Sequence, residues 1–155
     1  MTNADLLARL LERNQESFLK MVHRVPTEHL DWSPYPGLRS TLNQFQEVAT
    51  VVGDFWSLYS DRKMNLEPKT FSDWLERRST MTDIVELETR LRADTARLIE
   101  HIRTLSPEDL TLPVQMPLPG EYLAVDTFMY NAWNMAYHEG QIAQILMHLD
   151  INPMA

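Results

Sequence analysis

The sequence predicts an all-α fold, a four-helix bundle with a long crossover between the second and third helices. Three observations carry this expectation. Four segments repeat apolar side chains at three- and four-residue spacing, the signature of amphipathic helices. No stretch sustains the period-two alternation of a half-buried strand, so a sheet has no source. The segment between the second and third helices is far longer than a bundle turn and holds a helical stretch of its own, "FSDWLERR".

The first helix is expected from Asp5 to Val25, with Leu7, Leu10, Leu11, Phe18, Met21 and Val22 on one face and Glu12, Arg13, Glu16 and Lys20 on the other. The second runs from Thr41 to Asp61 through Leu42, Phe45, Ala49, Val52, Trp56 and Tyr59. The third follows Thr82, read as its N-cap, and reaches Leu105 through Ile84, Leu87, Leu91, Leu98 and Ile102. The fourth runs from Val125 to Leu149 through Phe128, Met129, Ala132, Trp133, Ala136, Ile142, Ile145 and Leu146. Two proline-rich connections, "PTEHLDWSPYPGLRS" and "SPEDLTLPVQMPLPGEY", follow the first and third helices. "PTEHL" and "SPEDL" match with their Glu and Leu positions 80 residues apart, which suggests two helical hairpins arranged as pseudo-repeats.

The chain has 155 residues, enough for one domain with one core, and the whole of 1–155 is read as that domain. Its 44% hydrophobic and 23% charged residues are ordinary globular composition. A net charge of −8 with no basic cluster disfavours a nucleic-acid partner. The absence of cysteine excludes disulfides, thiolate catalysis and cysteine-ligated metals. The N-terminal segment does not read as a signal peptide, and no apolar run is long enough to span a bilayer, so no membrane partner and a cytoplasmic location are expected.

"NAWNMAYHEGQ" carries the most unusual pattern. Asn131, Asn134, His138 and Gln141 are spaced 3, 4 and 3, so they share one face of the fourth helix. A solvated face would carry Lys and Glu. This one holds neutral groups between Trp133, Met135 and Tyr137, so it is expected to face the interior, a cleft or a subunit contact, with its polar atoms satisfied there. On the second helix Asn43, Glu47, Thr50, Asp54 and Ser57 form a similar stripe. If both face inward, one polar cavity lies between the two helices, holding Thr50, Asn134, His138 and Asp54. The other histidines (His23, His29, His101 and His148) read as surface residues, and Trp32 and Trp56 as loop anchors or core.

"VPTEHLDWSPYPGLRSTLNQFQEVA", the "DFW" that follows it and the closing "YHEGQIAQILMHLDI" resemble the DinB superfamily, and the resemblance extends over nearly the whole chain. It implies a four-helix bundle, often dimeric, so a homodimer is expected. Family members commonly hold a divalent metal through three histidines, one on the second helix and two spaced four apart on the fourth. Relatives include thiol-dependent S-transferases, a glutathione-dependent isomerase and metal-dependent hydrolases. The corresponding positions here are Thr50, Asn134 and His138, so one histidine of three remains. Thr and Asn are weak neutral ligands for zinc or nickel. The expected function is therefore a metal-free pocket for an unknown small molecule, or a non-catalytic bundle, with no cofactor. Glu47, Asp54, Asn131 and Gln141 extend that pocket. The alternative is a divalent-metal enzyme of the DinB type using His138 with Asp54 or Glu47.

Overall fold

The computed structural model describes residues 1–64, 67–116 and 118–154. Among the described residues six α-helices follow one another: α1 Asn3–His23, α2 Thr41–Asp54, α3 Trp56–Asp61, α4 Pro68–Ser79, α5 Ile84–Thr104 and α6 Ala124–His148. The bundle is formed by α1, α2, α5 and α6, and α4 lies in the crossover, so the all-α expectation holds.

Local chemistry sets the helix starts. Thr2 caps α1 and shares a reciprocal capping box with Asp5. Ser40 caps α2 through the Asn43 amide. Asp83, not Thr82, caps α5, accepting from the Val85 and Glu86 amides. A carboxylate beats a hydroxyl there because it also meets the positive end of the helix dipole.

Packing explains the long connections. Helix α1 packs against α5 and α6, and α2 packs against the same two helices. The order around the bundle is therefore α1, α5, α2, α6. The first and third connections each join helices across a diagonal, which a short turn cannot do. Each uses a 3-10 turn, Thr27–His29 and Asp109–Thr111, and each returns to the next helix through a matching bond: Leu42 N to Leu30 O at 2.8 Å, and Ala124 N to Leu112 O at 2.9 Å. The two corners are alike, but they correspond at an offset of 82 residues, Leu30 with Leu112 and Leu42 with Ala124, so the 80-residue match of "PTEHL" with "SPEDL" does not mark their equivalent positions.

Four further expectations need correction. The second helix is not continuous to Asp61. It breaks at Phe55 (φ −99°, ψ 13°), where the ring turns to pack against Trp74 of α4 and Tyr130 of α6. A minimal antiparallel pair does exist, β1 Pro113–Val114 with β2 Tyr122–Leu123, too short for any period-two signal. Met129, Trp133 and Ala136 of the fourth-helix stripe, and Leu10 of the first, are exposed, because 3.6-residue periodicity admits more than one apolar face on an apolar helix. His101 is half-buried, bonded to the Tyr59 carbonyl and packed on Trp56 and Phe128.

The crossover is anchored by polar as well as apolar contacts. Gln46 Nε2 donates to the Met81 carbonyl at 2.9 Å. At its start, Met64 N bonds Gln115 O and Gln115 N bonds Arg62 O, which ties it to the third connection. Among the described residues no helix is long and apolar enough to cross a membrane.

Candidate functional site

The polar stripe of α6 faces inward. Asn131, Asn134 and His138 are each 2% exposed, and Gln141 is half-buried. The stripe is therefore not a surface for pairing with a second copy. Its residues divide between a network around His138 and a separate contact between Asn131 and Tyr59, while the α2 stripe builds a further network of its own.

The larger network centres on His138 and Glu47. His138 Nε2 lies 3.3 Å from Glu47 Oε1. Asn134 Nδ2 donates to the same oxygen at 3.1 Å. Arg39 Nη1 donates to Glu47 Oε2 at 2.7 Å. On the far side of the ring, Nδ1 faces Gln44 Oε1 at 3.1 Å and Gln141 Oε1 at 2.9 Å. The Gln44 amide is oriented by its own nitrogen, which donates to the Arg39 carbonyl at 3.2 Å. Both ring nitrogens thus face oxygen, Nε2 toward Glu47 and Nδ1 toward two amide oxygens. One polar atom is left over: Asn134 Oδ1 is buried with no partner among the described residues.

The hydrogen bond from His138 holds the Glu47 carboxyl far below the usual carboxylate range. Burial opposes this and loses, because Arg39 and Asn134 also favour the charged form. A free glutamate titrates near 4.5. The folded state binds fewer protons than the unfolded chain at and below that pH. The stability that Glu47 supplies is therefore present above pH 4.5 and is lost as pH falls below it. A Glu47→Gln variant is expected to lose less stability than the parent between pH 6 and about pH 3, read by urea unfolding at each pH. Parallel profiles would contradict this.

A second network lies further along α2. Thr50 Oγ1 donates to the Gln46 carbonyl at 3.0 Å and accepts from Arg78 Nε at 2.7 Å. Arg78 Nη2 donates to Asp54 Oδ2 at 2.9 Å, and Arg77 pairs with Asp54 Oδ1. The Asp54 side chain is only 2% exposed. Thr50 and Asp54 thus gather on Arg78 of α4, with no bond to His138. Asn131 belongs to a third contact, exchanging hydrogen bonds with the buried Tyr59 hydroxyl. Burial pushes that phenol up, so it stays protonated. Asn43 and Ser57, which completed the predicted stripe of the second helix, are exposed.

Residues outside the predicted set therefore do much of the binding within the site. Gln44 sits one turn before Glu47, and its spacing of three carried a usable signal. Arg39 precedes the helix cap, and Arg78 comes from the crossover. Neither has a local pattern that points to α2. A cavity of about 210 Å³ lies between α2 and α4, lined by Arg39, Asn43, Gln46, Glu47, Arg78 and their neighbours.

The fold and this inward-facing polar face define a family. The chain matches the DinB superfamily model over residues 10–142 and belongs to that family. Solved structures share the fold, among them the following three. The mycothiol-dependent maleylpyruvate isomerase aligns with TM-score 0.73 and 14% identity over 91% of this chain, which spans only 61% of the isomerase. A DinB-like protein from Bacillus subtilis aligns with TM-score 0.66 and 10% identity, covering 94% of this chain and 92% of its own. The colibactin self-resistance protein ClbS, solved with a dsDNA, aligns with TM-score 0.69 and 13% identity, covering 93% and 95%. No curated protein sequence matches the chain.

Proposed function

We propose that this DinB protein works without a bound metal, and that the polar cavity beside Glu47, between α2 and α4, holds a small polar ligand. The observation that carries this reading is Arg78. Its Nε donates to Thr50 Oγ1 at 2.7 Å, at the position where the family resemblance places a metal ligand on the second helix. A guanidinium keeps its charge at any pH the protein meets. Arg39 brings a second fixed cation to Glu47. A divalent ion beside His138 would be repelled by both.

The remaining donors do not fit such an ion either. They are one imidazole, one carboxylate that already accepts three hydrogen bonds, and one neutral amide. Catalytic zinc sites use three good protein ligands, and zinc and nickel favour imidazole over neutral oxygen. Among the described residues no group of three or more His, Cys, Asp or Glu side chains converges.

Arg39, Gln46, Glu47 and Arg78 on the cavity wall supply the polar partners for the ligand half of the proposal. Asn134 Oδ1, buried with no partner among the described residues, lies outside that lining. The net charge of −8 makes a nucleic acid an unsuitable partner for this chain.

Elemental analysis of tag-free protein tests this, before and after incubation with manganese, nickel or zinc, beside a His138→Ala variant. The expected result is no stoichiometric metal in either protein under any condition. One ion per chain, lost in the variant, would overturn the proposal.

A further inference from the structure

A second cavity, of about 270 Å³, lies between the loop before α2 and the last turns of α6. It shares Arg39 with the α2–α4 cavity but opens on the Nδ1 side of His138. We infer that this cavity is a binding site for a small organic carboxylate, a proposal independent of the metal-free reading above.

The first argument is charge. The chain carries 22 acidic residues against 14 basic ones, yet none of the nine residues lining this cavity is acidic. Its polar wall is Arg39, His148 and the amides of Gln44, Gln141 and Gln144. No acidic side chain lines the cavity, and the Glu47 paired with Arg39 lies outside the lining, so a carboxylate here meets the wall's donors with no carboxylate among the lining residues.

The second argument is donor supply. Gln44 and Gln141 both turn their amide oxygens to His138 Nδ1. The Gln141 amide nitrogen, on the other branch of the planar group, has no partner among the described residues. Gln144 and His148 form no hydrogen bond there either, so three donor groups stand uncommitted around one space. Leu38 and Ile145 supply apolar wall for a short carbon skeleton. The volume is at the small end for ligand sites and suits a metabolite-sized acid.

The third argument is preorganisation. The facing wall is a turn over residues 35–38, closed by Leu38 N to Tyr35 O at 3.1 Å. Pro36 takes the second position and Gly37, at φ +86°, the third, as a type II turn requires. Ser33 Oγ braces it through the Tyr35 and Leu38 carbonyls at 2.9 and 3.0 Å. The Tyr35 ring packs edge-on against His148, joining the turn to α6. A rigid wall spends little entropy on closing around a ligand.

Calorimetric titration of the full chain tests the assignment, with succinate, uncharged succinamide and inorganic phosphate as probes, and with a Gln144→Glu variant. Gln144 is exposed and makes no hydrogen bond among the described residues, so the variant is expected to keep the parent's thermal unfolding curve. Succinate is expected to bind the parent, to bind the variant about tenfold or more weakly through like-charge repulsion, and to outcompete phosphate; succinamide is expected to give no heat. No heat from succinate in the parent would overturn the proposal. So would equal binding of succinamide or phosphate, or unchanged binding in a folded Gln144→Glu variant.

Discussion

Replacing Arg78 with alanine is expected to lower the unfolding free energy by about 3 kcal/mol, whereas Arg77→Ala costs less than about 1 kcal/mol. Both arginines reach the same carboxylate, but only one of them is enclosed. The Arg78 side chain is 11% exposed and the Arg77 side chain 46%. Removing Arg78 leaves Thr50 Oγ1 without its donor and leaves the enclosed Asp54 carboxylate with one solvent-facing partner. A buried charge stripped of its partner carries most of its desolvation cost uncompensated. The Arg77 pair is screened and mobile, and it contributes little. Equilibrium urea unfolding of the two variants measures both losses. A double variant, Arg78→Leu with Asp54→Leu, removes donor and carboxylate together and is expected to recover part of the loss. Equal, small effects from Arg77 and Arg78 would show that α4 is not held through this pair.

Phe45→Ala is expected to cost about 3–5 kcal/mol, among the largest effects of a single substitution in the core. Phe45 is fully buried on α2, and its ring meets Phe18 of α1 edge-on at 5.6 Å across the bundle diagonal. Alanine would remove that aromatic contact and leave a void that four surrounding helices cannot all collapse into. Phe45 follows Gln44 directly and precedes Glu47 by two residues, so the rotation of α2 that places the site depends on this packing. Phe45→Leu, which keeps most of the volume, is expected to lose well under half as much. A loss below about 1 kcal/mol for Phe45→Ala, in thermal or urea unfolding, would contradict the account of the core.

The sequence carried the bundle because four apolar stripes repeat over many turns, and each repetition reinforces the same helix. Leu87, Leu91, Leu98 and Ile102 all lie on the buried side of α5, where their spacing put them. It also carried the inward turn of Asn131, Asn134 and His138, because a neutral polar stripe flanked by large apolar residues is poorly suited to water. The break at Phe55 was not legible, since the apolar pattern continues through Trp56 and Tyr59, and the cause is a contact with α4. The partners of the stripe were less legible still. Thr50 and Arg78 are 28 residues apart, and His138 and Gln44 are 94 apart. No local pattern encodes such pairs; the packing of the crossover and the rotation of two helices decide them. Thr50, placed beside His138 by the polar stripe of the second helix and again by family position, turns instead toward a guanidinium that neither predicts.

The claim that the site is built around its own cations is tested most directly by a crystal structure grown with excess manganese or zinc. The account predicts no ion between His138 Nε2 and Glu47 Oε1, with Arg78 Nε still within hydrogen-bonding distance of Thr50 Oγ1. An ion ligated by His138 and Glu47, with Arg78 or Arg39 swung away to admit it, would contradict the account.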